Sequence, residues 1–316
     1  MPRPRKSLIN LTDTPYYHCV SRCVRRAFLC GEDKQTGKSF EHRRQWVEDR
    51  LLFLADVFCV DVCAYAVMSN HTHVVLRINK QKAESLSAKE VIQRWHKLFK
   101  GMILAQRYID PVDSDSLSEA EIETVKSLAE VYRNRLFDIS WFMRLLNEYI
   151  ARQANKEDDC TGHFWEGRFK SQALMDEVSL AACMAYVDLN PVRSRLAKTP
   201  AASAHTSIQK RIEVAKAHRQ PHRLLPFSGN SFDKISDGLP FRIEDYFALV
   251  EQTLHQFRSN KRGKIDHAVS PILIQNGLGH TDWMTLVCGI ETKFKTTVCL
   301  TMLPSKRREN IRDNSA

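Results

Sequence analysis

The chain is predicted to be α+β, with a ferredoxin-like antiparallel sheet carrying helices on one face, on three observations. Short β-rich runs at 16–22, 59–67 and 71–78 flank an amphipathic stretch at 41–57, which gives the order β-α-β-β. A long helical region follows the third run, and an aromatic-rich run at 164–174 completes a β-α-β-β-α-β order. With 316 residues, 43% of them hydrophobic, the chain is long enough to bury such a sheet under a sizeable core.

The first strand, Tyr16 to Arg22, is aromatic and β-branched and follows the breaker Pro15. Between Glu41 and Val57, Trp46, Leu51, Leu52, Leu54 and Ala55 recur among charges at helical spacing. Two strands then run from Cys59 to Val67 and from His71 to Ile78, joined by a turn at Met68-Ser69-Asn70. A helix is expected over 87–107, with Val91, Ile92, Trp95, Leu98 and Phe99 on one side and a capping box at Ser87 and Glu90. Ser118 and Glu121 repeat that cap inside an acidic stretch, and a further helix spans 140–154, so a helical insertion occupies about 109–155. The last helix of the unit runs from Val178 to Leu189 and is expected to stop at Asn190-Pro191, where the proline limits continuation.

These elements assign residues 1–200 to one domain. Prolines 221, 226 and 240 punctuate a linker-like region at 201–240, and helical patterning around Tyr246 and Trp283 predicts a small helical C-terminal region at 241–316. The formal charge is +10, with basic runs at 3–6, 22–26, 258–264 and 306–308, so an anionic partner is expected and nucleic acid fits best. No run of eighteen apolar residues exists, and the N-terminus lacks the apolar stretch of a signal peptide. A cytoplasmic protein with no membrane partner is therefore expected. The nine cysteines are odd in number and show no Cys-x-x-Cys pair, so they read as reduced thiols.

His71 and His73 are separated by one residue on a predicted strand, so their side chains project from the same face and can hold one metal ion. An isolated His-x-His also suits the solvent face of an edge strand. On the helix at 178–189, Tyr186 is followed four residues later by Asn190, which puts a phenol and an amide oxygen on one face. Tyrosine is a feasible nucleophile, and a metal on two imidazoles and a side-chain oxygen can polarise a phosphoryl group. Oxygen-bearing substrates suit Mg²⁺ or Mn²⁺, with imidazole ligands favouring Mn²⁺. The plain alternative is a half-buried helical tyrosine with Asn190 as a cap.

Four segments in order carry a resemblance: Tyr16 to Arg22, Met68 to Leu76 (Met-Ser-Asn-His-Thr-His-Val-Val-Leu), Phe164 to Ser171 (Phe-Trp-Glu-Gly-Arg-Phe-Lys-Ser) and Tyr186 to Val192 (Tyr-Val-Asp-Leu-Asn-Pro-Val). Together they resemble the single-tyrosine HUH transposases, in the branch that includes the REP-associated tyrosine transposases, over about residues 10–197. The resemblance implies an HUH endonuclease fold, with His71 and His73 as the histidine ligands, Asn190 as third ligand and Tyr186 as nucleophile. It further implies metal-dependent cleavage and rejoining of single-stranded DNA through a 5′-phosphotyrosine, and it leaves room for a homodimer. Thr72 departs from the hydrophobic residue usual between the histidines.

Arg22, Arg25, Arg26, Arg168 and Lys170 are the expected phosphate contacts and Trp165 the expected stacking surface for single-stranded or hairpin DNA. Trp165 equally suits the core. Tyr149 and Gln153 repeat the tyrosine-plus-four spacing on another helix and remain a rival pair. No separate general base is evident. A domesticated transposase that binds DNA without cutting it, and a phosphodiesterase that uses water in place of tyrosine, are the competing functions.

Overall fold

The structure is a computed structural model that describes residues 9–24, 28–33, 35–229, 237–258, 270–303 and 305. Its elements begin with β1 (Tyr16–Arg22), α1 (Arg43–Val57), β2 (Val60–Val67) and β3 (His71–Ile78). Five helices follow: α2 (Lys80–Ser85), α3 (Ala88–His96), α4 (Ile103–Ile109), α5 (Glu119–Leu136) and α6 (Ile139–Glu157). Then come β4 (Lys170–Leu174), α7 (Glu177–Arg193), α8 (Ser207–Ala215), α9 (Ile243–Arg258), α10 (Pro271–Gln275), α11 (His280–Gly289) and β5 (Thr297–Val298).

The α+β class and the ferredoxin-like order are present. Strands lie in the order β2-β3-β1-β4, with every neighbour antiparallel. β5 joins β4 in parallel, so the full sheet is mixed rather than purely antiparallel. The helices inside the β-α-β-β-α-β unit cover one face, where α1, α3, α5 and α6 share a core with Tyr17, Val62, Tyr65 and Val74. The other face is not bare: α7, α9, α10 and α11 pack there with Ala64, Ala66 and Val75. Helices on one face was therefore too narrow an expectation. Seven of the eight residues of β3 are buried, and a strand apolar on both sides needs a layer on each.

The region at 201–240 is also more than a linker. Leu225 N–H donates to the Val62 carbonyl, and the Ser207 hydroxyl accepts from the Tyr65 backbone N–H. The chain thereby covers the free edge of β2, which would otherwise offer unpaired backbone groups. The described residues beyond 240 extend the core formed by α7.

Three local expectations need correction. The helix expected at 87–107 breaks into α3 and α4 around Gly101, whose φ of +74° lies in the left-handed region. Only Lys170–Leu174 of the 164–174 run is strand. α7 continues through Pro191 to Arg193, because a proline in the last turn forfeits one N–H without ending the helix, and Ser194 N–H still reaches the Asn190 carbonyl. Both predicted capping boxes, at Ser87/Glu90 and Ser118/Glu121, are formed. None of the nine cysteines forms a disulfide. No described helix is long and apolar enough to cross a membrane.

Candidate active site

Alternation along β3 turns His71 and His73 toward α7 and leaves Thr72 and Val74 on the opposite side. α7 is fixed over the sheet by buried Asp188, which accepts hydrogen bonds from the hydroxyls of Ser207 and Tyr246 and from the Ile208 N–H. Burial pushes the Asp188 carboxyl up to about 6 against those hydrogen bonds. With α7 so anchored, Tyr186 and Asn190 both face the histidines. The His73 and Tyr186 rings stand edge to face with centroids 5.6 Å apart. Asn190 Nδ2 lies 3.0 Å from His73 Nε2.

Asn190 is thus a helical residue aimed into the site, not a cap. Its Oδ1 accepts from the Ser194 hydroxyl at 3.2 Å, so bringing oxygen to a metal requires the amide to turn over. A carboxylate already stands there. Glu291, in the turn after α11, has an oxygen 3.6 Å from His73 Nε2 and groups with His71 and His73, their ligand atoms all within 4.8 Å. It is the carboxylate at this site that sequence reasoning did not find. The phenol of Tyr186 is raised well above its usual range, first by burial and then by its interaction with the Glu291 carboxylate. The Arg193 guanidinium, 4.8 Å from the Tyr186 ring centroid, opposes that shift.

A chain of hydrogen bonds orients the imidazoles. Gln172 Nε2 donates to the carbonyls of Ile290 and Phe294, which turns Gln172 Oε1 toward His18 Nδ1 at 2.7 Å. His18 Nδ1 therefore carries the proton and His18 Nε2 accepts from His73 Nδ1 at 3.0 Å. His73 Nε2 is left as an acceptor and takes a hydrogen bond from Asn190 Nδ2 at 3.0 Å, so its lone pair opens to a metal once that amide turns over. His71 Nδ1 donates to Asn70 Oδ1 at 2.6 Å, which frees the corresponding Nε2 of His71. Burial, with Arg22 nearby, holds His71 down to about 4; burial and the neighbouring imidazoles hold His73 well below its usual value. Both are neutral at pH 7, as metal binding requires.

No family model and no curated protein matches this chain. A solved structure of a REP-associated tyrosine transposase bound to a REP hairpin is similar at 13% identity, with a TM-score of 0.39, covering 77% of this chain and 99% of that one. What the site can do chemically follows from its own side chains.

Beside the histidines, a cavity of about 600 Å³ is lined by His18, Gln172 and Glu291 and by the cations Arg22, Arg168, Lys170 and Lys295. The structure brings three of the expected phosphate contacts to this cavity. Arg25 and Arg26 lie outside the described residues, as do the basic runs at 3–6, 261–264 and 306–308. Trp165 sits apart, half-buried, its indole N–H donating to the Asn147 carbonyl. Tyr149 and Gln153 line a different cavity, among residues that pack on the other face of the sheet. The donor set of two neutral imidazoles, a carboxylate and an amide fits a divalent ion.

Proposed function

We propose that the chain is a tyrosine transposase of the HUH type, cutting and rejoining single-stranded or hairpin DNA. The observation that carries this reading is the convergence of Tyr186 with His71, His73 and Glu291 beside a cation-lined cavity. His71, His73 and Glu291 would hold a divalent ion, and Asn190 could add an oxygen once its amide turns over. The chemistry such an ion, Mg²⁺ or Mn²⁺, would supply there is polarisation of the phosphoryl oxygen and an offset to the charge that develops on it.

Tyr186 Oη forms the new bond to phosphorus as the bond from phosphorus to the 3′-oxygen breaks. The products are a 5′-phosphotyrosine and a 3′-hydroxyl. The phenol proton passes to the Glu291 carboxylate, and the departing 3′-oxygen takes a proton from water. Rejoining reverses these steps, with Glu291 returning the proton. Arg22, Arg168 and Lys170 hold the strand by its phosphates.

End-labelled single-stranded hairpin DNA incubated with the protein and Mn²⁺, then run on a denaturing gel, tests the reading. A covalent adduct lost in Tyr186→Phe and kept in Tyr149→Phe is expected. DNA that binds but forms no adduct leaves a binding protein, and cleavage without an adduct makes water the nucleophile.

A further inference from the structure

Behind the sheet, on the side away from Tyr186, α1, α3, α5 and α6 surround a cavity of about 530 Å³. Its floor is aromatic: Trp95 stacks on Tyr132 with centroids 4.9 Å apart and meets Trp141 edge on at 5.6 Å. Cations are layered on these rings. The Arg135 guanidinium lies 4.6 Å from the Trp141 centroid, Arg144 lies 5.0 Å from it, and Arg50 lies 4.8 Å from the Tyr149 ring.

The charge is lopsided. Four arginines, 50, 135, 144 and 152, share the lining with one carboxylate, Glu148. Glu148 pairs with Arg144 and Arg152, and among the described residues Arg50 and Arg135 have no ion pair. Two rings on the lining, Phe99 and Tyr149, stay 40% and 37% exposed. A groove needed only for packing would bury those rings or replace them with charge, since apolar area left in water forgoes roughly 25 cal/mol per Å².

We propose that this groove is a second nucleic-acid site, which holds unpaired bases of a single strand against Phe99, Tyr149 and the arginine-covered Trp141. Its volume suits planar organic groups. Guanidinium planes and aromatic faces accept any base by stacking, while Arg144 and Arg152, 63% and 77% exposed, meet the phosphates. The walls are helical and present no free strand edge, so an extended peptide finds no backbone ladder here. The site does not depend on the chemistry of Tyr186. α3, α5 and α6 lie between β3 and β4, so the groove comes from a part of the chain separate from Asn190, Tyr186 and Glu291.

The test uses the full chain and an oligothymidylate carrying 4-thiothymidine, photocrosslinked and mapped by peptide mass, with titrations of a fluorescein-labelled oligothymidylate beside it. Crosslinks to peptides holding Phe99, Trp141 or Tyr149 are expected, in addition to those near residues 166–172. Arg144→Glu/Arg152→Glu should remove the groove crosslinks and weaken the groove's binding by about tenfold at 0.1 M salt, with folding checked by circular dichroism. Arg168→Glu/Lys170→Glu should leave the groove crosslinks in place, which separates this site from the one at Tyr186. Crosslinks confined to 166–172, or binding unchanged in Arg144→Glu/Arg152→Glu, would overturn the proposal. So would an acidic peptide that displaces the oligothymidylate from the groove at equal concentration.

Discussion

His18 Nε2 sits 3.0 Å from His73 Nδ1, and Gln172 closes on the opposite nitrogen of His18 at 2.7 Å. This relay makes His18 and Gln172 positioning residues, since neither belongs to the ligand group of His71, His73 and Glu291 while both set which nitrogen of His73 carries the proton. Gln172→Leu is expected to lower Mn²⁺ affinity by about 10–100-fold, measured by calorimetry without DNA. Gln172→Glu keeps an acceptor for His18 Nδ1–H but sets a carboxylate oxygen against the Ile290 and Phe294 carbonyls, so it should restore only part of the loss. A ¹⁵N spectrum of the histidine rings should show His73 as the Nδ1–H tautomer in wild type and a mixture in Gln172→Leu. Equal affinity in both variants would sink the relay.

Glu291 has two tasks in the proposed reaction, contributing an oxygen to the ion and accepting the Tyr186 proton. Glu291→Gln keeps the size of the side chain and removes both the charge and the basicity. Adduct formation should slow by about 10²-fold or more at saturating Mn²⁺, since general-base contributions are of that order. Saturating the ion separates proton transfer from metal affinity. An unchanged adduct rate under those conditions would leave Glu291 as a bystander at the cavity wall.

The contrast between these residues and the histidines shows what the sequence can carry. His71 and His73 are two positions apart on one strand, and Tyr186 and Asn190 are one helical turn apart, so local periodicity alone puts each pair on a face. The β1–β3 framework was legible for the same reason, as alternation and turn residues are local signals. His18 meets His73 across 55 positions and Gln172 across 154, through strand register that no local period encodes. Glu291 arrives from a segment whose helical patterning said only that it was helical, not that α11 would dock on α7 and return the chain to the sheet. The broken helix at Gly101 had a signal that the apolar periodicity outweighed, namely a glycine following Lys100 at the end of the run.

Glu48 offers a pH test of the fold away from the site. Burial alone would raise its carboxyl, but hydrogen bonds from His205, Tyr65 and Lys210 outweigh that and hold it down to about 2. An unfolded glutamate titrates near ~4.3, so native Glu48 stays ionised while the unfolded chain takes up a proton. The stabilisation is therefore complete above about pH 4.5 and is lost as the pH falls toward 2. Glu48→Gln should cost about 1–3 kcal/mol in urea unfolding at pH 7 and much less near pH 2. An equal cost at both pH values would mean that the ionised carboxylate contributes nothing.

Gly101 sits at the break between α3 and α4. Its φ of +74° is one that residues with a Cβ adopt only at a cost, and a Cβ built there would lie 2.0 Å from His96 Nε2. The imidazole of His96 can swing away, so the backbone term should dominate. Gly101→Ala is expected to lower stability by about 1–2 kcal/mol in urea unfolding. Asn tolerates the left-handed region better than Ala, so Gly101→Asn should cost less despite its larger side chain. That reversal of size order separates backbone strain from crowding, because crowding against His96 would make Asn the worse of the two. If Asn proves worse, the helix break is held by packing around His96 and not by the conformation of the glycine.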